Sequence, residues 1–337
     1  MSRWATDADA AADALIARSL DALNLTGRVL LANPSPGLPA IVAKRGHASA
    51  LWQRRLAAAG GEAQPWPPPG PFDVVLLRLA KAKDEQEMAL HAALSVLAAS
   101  GRLLLYGGND EGIRSAAAAV EELCGGVDTI ARRGHGRLIA AERPANVASL
   151  RGELAEWRRQ TTLTIKGKAR PWTSYPGLFA ADRIDAGSLL LIDTLPALAA
   201  RAWVADFGCG AGVIAAALAD SEQIRLDLID HDSVALLAAN DNVPSGRVHL
   251  GSSLAALPGA RYDAIISNPP LHIGVTESHQ VLDQLILDAP SHLAPGGMLQ
   301  VVVPRHLPLA ERLRRQFDQV SVLAETGRYR VWQARRG

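Results

Sequence analysis

The sequence predicts an α/β protein of two tandem, Rossmann-like doubly wound domains. The second is built on a seven-stranded, mainly parallel sheet that ends in an antiparallel hairpin. Three observations predict this. The chain has 337 residues, 48% of them hydrophobic, which suits two cores in domains of about 150 residues each. Short apolar runs alternate with helical stretches through the second half, the pattern of a parallel sheet covered on both faces. Three segments of the first half recur in order in the second, as duplicated units do.

In the second half, strands are expected at 202–207 (AWVADF), 224–230 (IRLDLID), 247–250 (RVHL), 262–268 (YDAIISN) and 298–304 (MLQVVVP). Helical stretches lie between them, around 212–220, 232–240, 278–292 and 306–317. Two last strands, 320–326 and 328–334, have no helix between them and read as a hairpin.

In the first half, FDVVLLRL (72–79) resembles YDAIISNP (262–269), and LAASGRLLLYGG (97–108) resembles LAPGGMLQVVVP (293–304). GHGRLIAAER (134–143) resembles ETGRYRVWQAR (325–335), which aligns Arg137 with Arg328. The copies differ where chemistry would sit. VLLANPSPG faces ADFGCGAGV, and LRLAKAKD faces SNPP. The first domain, 1–149, is therefore expected to keep the fold and lack a site, and the second, 150–337, to carry it, with 150–180 a basic connecting segment. Between 132 and 170, ten basic residues stand against three acidic ones, a net of +7. That stretch is either a solvated linker face or a phosphate-tracking surface.

A net charge of +1 gives no whole-chain sign of nucleic acid, so any such binding must be local. Two cysteines, Cys124 and Cys209, without a C-x-x-C pair exclude a disulfide scaffold and a zinc site, and no metal is expected. They fit a reducing cytosol. The N-terminus has no signal-peptide core, and no run approaches a membrane span. A cytoplasmic protein is expected.

DFGCGAGV places Asp206 at a strand end and Gly208, Cys209, Gly210 and Gly212 in the turn that follows. Glycines allow positive φ and close approach of a ligand to the backbone, and the next helix opens with free N–H groups. Asp230, 22 residues after Gly208, ends the second strand, where a carboxylate can take both hydroxyls of a ribose. A dinucleotide fingerprint needs glycine at 213, which is Val213. The G-x-G-x-G spacing with an acid before it favours S-adenosyl-L-methionine, whose methionine end is cationic. A dinucleotide site and a turn without ligand are the alternatives. Ser252 and Ser253 follow the third strand, at the edge where an adenine would lie, or are turn serines.

The run Ala264-Ile265-Ile266 reads as a buried strand and stops at Ser267-Asn268-Pro269-Pro270. Two prolines cannot continue a central strand. They can hold a loop rigid at the carboxyl edge of the sheet, where such folds bind ligands. There the Asn268 amide and the Pro269 carbonyl form a pair of acceptors for the two N–H groups of an exocyclic amine, leaving its lone pair aimed at an electrophile. The alternative is a strand-end turn without chemistry.

With these motifs in place the sequence resembles the class I S-adenosylmethionine-dependent methyltransferases that carry (D/N/S)-P-P-(Y/F/W) and modify planar amines. Within them it is similar to the ribosomal RNA guanine-N2 methyltransferases, above all the small-subunit (16S) enzymes. YPGLFAADRIDAGSLLL (175–191), DFGCGAGV (206–213), YDAIISNPPLHIG (262–274), LAPGGMLQVVV (293–303) and ETGRYRVWQA (325–334) carry the resemblance over most of 160–337, and GGNDEGIRSA (107–116) extends it weakly into the first half. The resemblance implies two methyltransferase-like domains in tandem, the first inactive. It implies that Asp206, Gly208, Gly210 and Asp230 hold the cofactor, with Cys209, Gly212, Ser252, Ser253 and Asp185 around it. It implies that Asn268, Pro269 and Pro270 hold the target guanine, with Leu271, His272 and Phe179 around the base. It also implies ribosomal RNA as partner, met in the assembled small subunit. Two fused domains suit a monomer.

Two positions depart from the family. Leu271 stands where an aromatic usually stacks on the base, and Ser253 where an acid or amide is usual. Large-subunit guanine-N2 methylation is the near alternative. Adenine-N6 and protein glutamine-N5 methylation fit the tandem layout less well. A non-catalytic, cofactor-binding ribosome-assembly factor is favoured by Leu271 alone. A nicotinamide-dependent oxidoreductase is disfavoured by Val213.

Overall fold

The structure is a computed structural model and describes residues 7–23, 25–56, 62–219, 223–257, 259, 261–269 and 275–337. The chain divides into two compact units, Met1–Arg158 and Arg159–Gly337.

The first unit runs α1 (Asp7–Leu23), β1 (Val29–Ala32), α2 (Leu38–Lys44), β2 (Ser49–Trp52), β3 (Phe72–Arg78), α3 (Lys83–Ser95), β4 (Leu97–Gly108), α4 (Ile113–Cys124), β5 (Asp128–Arg133) and β6 (Gly136–Glu142). Its sheet has the order β2-β1-β3-β4-β6-β5, parallel except where β6 meets its neighbours. β1 and β3 are nearly unbroken apolar runs because both faces of the sheet are covered. Leu30, Val75, Leu77 and Leu103 pack on one face with α3 and α4. Leu31, Val74, Leu76 and Leu104 pack on the other with α1 and α2.

The second unit runs β7 (Arg159–Ile165), β8 (Lys168–Ser174), α5 (Ala186–Asp193), β9 (Trp203–Phe207), α6 (Val213–Leu218), β10 (Arg225–Asp230), α7 (Ser233–Asn242), β11 (Arg247–Leu250), β12 (Tyr262–Ser267), α8 (Val275–His292), β13 (Leu293–Pro304), α9 (Ala310–Arg314), β14 (Gln319–Glu325) and β15 (Tyr329–Arg335). The seven-stranded order is β11-β10-β9-β12-β13-β15-β14, and β15 runs antiparallel to both neighbours. Val204, Leu228 and Ile266 face α5, α6 and α7, while Ala205, Ile229 and Ile265 face α8 and α9.

Three expectations change. The stretch 150–180 is more than a connector: β7 and β8 pair through a two-residue turn at Lys166 and Gly167, both with positive φ, the geometry that matches strand twist. The division falls after Arg158 rather than at 149, because Trp157 belongs to the first unit. It is buried, packs edge-on to His91 with ring centroids 5.3 Å apart, and donates from Nε1 to the Arg151 carbonyl. The helix expected over 306–317 shrinks to Ala310–Arg314, since Pro308 disfavours helical geometry at the residue before it.

The two sheets superimpose in register. Ala32 pairs with Trp52 and Leu77, as Phe207 pairs with Ile229 and Ser267. The N–H after each strand also repeats, Asn33 to Trp52 O and Gly208 to Ile229 O. Removing β11 from the second order leaves the first. The last segment moves by two residues from its expected alignment: Arg137 pairs with Gly107 as Arg330 pairs with Val303, so Arg137 matches Arg330 and not Arg328.

Candidate active site

Parallel strands β9, β10 and β12 bring their carboxyl ends to one edge. There Gly208, Gly210 and Gly212 have φ of 69°, 55° and 89°, a region side chains adopt at a cost. The Gly210 N–H donates to Asp230 Oδ2 at 2.9 Å, fastening the turn to the next strand. Asp230 Oδ1 accepts from the Asp232 N–H, also at 2.9 Å. Oδ1 also lies 3.2 Å from His231 Nδ1, while Oδ2 has a second lone pair for a hydroxyl. A Cβ on Gly210 would meet nothing within 4 Å, so this part of the turn borders open space. The Gly251 N–H donates to the Asp230 carbonyl, which sets Ser252 and Ser253 beside that strand end; Ser252 is exposed and Ser253 half-buried.

Asp206 lies under the turn, fully buried. Its Oδ2 accepts from the Ala215 N–H at 3.1 Å, and its Oδ1 has no partner among the described residues. Burial pushes its pKa up to about 7, opposed by the Ala215 hydrogen bond and aided by the charge of Asp230. Cys209, in the same turn, is buried. Its thiol packs in the core with Ile214 and Leu236, and burial raises its pKa well above the usual thiol range.

The Ser267 hydroxyl donates to the Phe207 carbonyl at 2.7 Å, locking the end of β12 to the start of the glycine turn. Asn268 comes next, half-buried, followed by a buried Pro269. Asn268 Nδ2 lies 3.0 Å from Ser188 Oγ and 3.3 Å from Asp185 Oδ1. A carboxylate accepts and does not donate, so Asp185 selects the amide's NH2 and leaves Oδ1 turned to the other side. Asp185 is itself fixed as the N-cap of α5, accepting from the Gly187 and Ser188 N–H groups at 2.9 and 3.1 Å. The structure thus sets Asp185 against Asn268. Phe179 is 62% exposed in the segment before α5. Pro270, Leu271 and His272 lie outside the described residues.

Three residues of this site carried no sequence signal. Ser188 is a buried serine in an apolar helix. Asn242, at the end of α7, exchanges two hydrogen bonds with the Thr173 backbone and donates to the Ala211 carbonyl, tying β8 to the glycine turn. Tyr329 lies against Gly187, its Cε1 3.3 Å from where a Cβ there would sit.

At the matching places of the first unit stand Leu31 for Asp206, Asn33 for Gly208, Gln53 for Asp230 and Arg78 for Asn268. Asn33 keeps the positive φ, at 46°. Arg78 is buried, paired with both oxygens of Glu111 at 2.7 and 2.8 Å and with Asp9 at 3.4 Å.

Residues 171–333 match the family model of the methyltransferase small domain, and 14–157 that of the methyltransferase small domain N-terminal region. Ribosomal RNA small subunit methyltransferase C from Shewanella baltica (strain OS155) is 31% identical over 268 residues, 77% of this chain and 75% of the relative. The protein of that name from Shewanella amazonensis is 32% identical over 270 residues, 77% and 76% of the two chains. Among solved structures, a T. thermophilus 16S rRNA N2 methyltransferase in complex with AdoMet and guanosine superimposes with a TM-score of 0.85 at 24% identity. That match covers 97% of this chain and 92% of the other and bears on the fold.

Proposed function

The chain belongs to the ribosomal RNA small subunit methyltransferase C family, and from that premise we propose that it methylates the N2 amine of a guanosine in 16S ribosomal RNA, using S-adenosyl-L-methionine. One observation carries the reading beyond the family: Asp185 and Ser188 hold the Asn268 NH2, so that its Oδ1 is offered as an acceptor one strand from the glycine turn.

The residues present suit the cofactor. Gly210 leaves open space, Asp230 Oδ2 keeps a lone pair for a ribose hydroxyl, and Asp206 Oδ1, without a partner among the described residues, lies under the turn. Ser252 and Ser253 border the same strand ends. When bound, S-adenosylmethionine supplies a methyl group on a sulfonium, which leaves without acid assistance. The chain's task is then positioning. Asn268 Oδ1 and the Pro269 carbonyl take the two N–H groups of the amine, which draws the nitrogen toward a pyramidal shape and aims its lone pair. The sulfonium is a strong enough electrophile that no strong base is invoked, and the amine's proton leaves after the bond forms. Leu271, His272 and Phe179 are the side chains proposed to flank the base, with Phe179 the exposed aromatic able to stack.

The first unit is proposed to be non-catalytic, since Leu31, Gln53 and Arg78 stand where acids and amide are needed. The partner is proposed to be RNA in the assembled small subunit, met by a monomer in the cytoplasm. Among the described residues no helix is long and apolar enough to cross a membrane.

The test is transfer of labelled methyl from S-adenosylmethionine to undermethylated 30S and 50S subunits, with the modified nucleotide mapped. Transfer to a 30S guanosine is expected. Transfer to 50S alone would move the reading to the large-subunit enzymes. Cofactor binding without transfer to either would leave an assembly factor. Asn268→Ala is expected to lower kcat by roughly a hundredfold or more with cofactor affinity nearly intact.

A further inference from the structure

The turn between β14 and β15 lies at the same sheet edge as Asn268, on the side away from the cofactor loop. In the order β10-β9-β12-β13-β15, Asp230 and the glycine turn are to one side of β12, and the ends of β13 and β15 to the other. There Pro304, Arg305, His306, Gly327, Arg328, Tyr329 and Arg330 line a cleft of about 540 Å³. Three arginines line it, and Glu325 pairs with two of them, Arg305 and Arg330.

Glu325 engages the inner nitrogens. One oxygen accepts from Arg305 Nε at 2.7 Å and the other from Arg330 Nε. A guanidinium held by Nε keeps its outer NH2 groups for a second acceptor, and their fork matches the oxygens of a phosphate. The Arg305 side chain is 54% exposed. Arg328 sits at the exposed tip of the turn, its guanidinium without a partner among the described residues. The cleft also abuts the target site. Tyr329 lies against Gly187, whose N–H donates to Asp185, the residue that holds Asn268.

We propose that this cleft is a phosphodiester subsite, in which Arg305, Arg328 and Arg330 hold the RNA backbone beside the guanosine presented to Asn268. The proposal rests on the RNA methyltransferase reading and adds where the strand runs: cofactor, target amine and backbone follow one another along the sheet edge. RNA is favoured over a small anion because three arginines line one open cleft, whose Tyr329 lies against Gly187 next to the residue that holds Asn268.

The test compares the full chain with the double variant Arg305→Ala, Arg328→Ala and with Arg330→Lys. A short single-stranded oligoribonucleotide carrying one guanosine is titrated across salt concentrations. Loss of two contacts should lower the slope of log affinity against log salt by about 1.4, at about 0.7 per single-strand phosphate contact. It should also raise KM for undermethylated 30S subunits about tenfold or more with kcat little changed, as loss of uniform binding does. Arg330→Lys should lose part of the affinity, keeping charge without the fork. S-adenosylmethionine affinity, unchanged throughout, reports an intact fold. An unchanged slope and KM in the double variant, or no salt-dependent binding by the parent chain, would overturn the proposal. If the parent chain bound the oligonucleotide as described yet methylated neither subunit, the cleft would stand and the catalytic reading would fall. Methylation with the double variant at parental slope and KM would do the reverse.

Discussion

Asn268 is the residue on which the proposed chemistry turns, and its amide is oriented by a neighbour rather than by itself. Asp185→Ala removes the carboxylate that selects the NH2 and also the cap of α5. It should lower kcat by roughly ten- to a hundredfold, in the range of lost positioning partners, and cost about 1 kcal/mol of stability. Asp185→Asn keeps the cap but offers the amide a donor as well as an acceptor, so it should recover stability more than kcat; equal recovery of both would argue against an orienting role.

Asp206 makes a second prediction. Its folded pKa, about 7, lies above the 3.8 of an exposed carboxyl. The folded chain therefore holds a proton that the unfolded chain has released. The stability this contributes is full below about pH 4 and is lost as pH rises through about 7, roughly a few kcal/mol in all. A bound cation favours the carboxylate, so cofactor affinity should rise across the same window with release of a proton. Calorimetry in buffers of different ionisation enthalpy, with Asp206→Asn as control, measures both. The Asp206, Gly208 and Asp230 pattern is local and so was legible in the sequence. The contacts of Asn268 with Asp185 and Ser188 join positions 83 and 80 apart, and no local pattern encodes them.

At the scale of elements, the turn between β9 and α6 separates folding from binding within one motif. Gly210 and Gly212 share a left-handed backbone, yet a Cβ at Gly212 would meet Val243 Cγ2 at 3.1 Å, while one at Gly210 would enter open space. Gly212→Ala should thus destabilise the unit by about 1–3 kcal/mol, strain and overpacking together. Gly210→Ala should cost about 1–2 kcal/mol but weaken cofactor binding more, because its methyl projects where the ligand would lie. Thermal melts with and without cofactor distinguish the two, and a larger ligand-dependent loss at Gly212 would reverse the assignment.

Strands β9, β12 and the second half of β13 were readable because burial on both faces makes them nearly continuous apolar runs. The β7–β8 hairpin was not. Its strands are largely exposed and rich in Arg, Lys and Thr, so neither apolar runs nor strict alternation marks them, and their charge suggested a linker. A similar limit hid the anchor of β10. Asp227 is buried and accepts from Trp203, Tyr262, Arg247 and His249. Burial alone would raise its pKa, but these hydrogen bonds hold it below the usual carboxylate range. Four partners from three other strands leave no trace in the sequence around it.

For the whole molecule, the matching registers of the two sheets make duplication the simplest origin, and the first copy shows what stands at the places of the proposed site. At the place of Asn268 it has Arg78, whose guanidinium stands over Tyr106 at 5.8 Å and pairs with Glu111 and Asp9. This is now a structural ion network. Burial would raise the Glu111 pKa, but the Arg78 and Gly108 hydrogen bonds hold it low, so its contribution is present near neutrality and is lost as pH falls below the usual carboxylate range. Removing the guanidinium leaves a mostly buried carboxylate without its partner, which typically costs about 3–5 kcal/mol. Arg78→Ala should therefore lower the melting temperature at pH 7 strongly and at pH 3 much less, as Glu111 takes up a proton. Arg78→Asn should create no second cofactor site, since Leu31 and Gln53 still stand where the other copy has Asp206 and Asp230. Equilibrium binding should give one S-adenosylmethionine per chain for both the parent and Arg78→Asn; a second equivalent in the variant would mean that the first copy lost its chemistry at Arg78 alone.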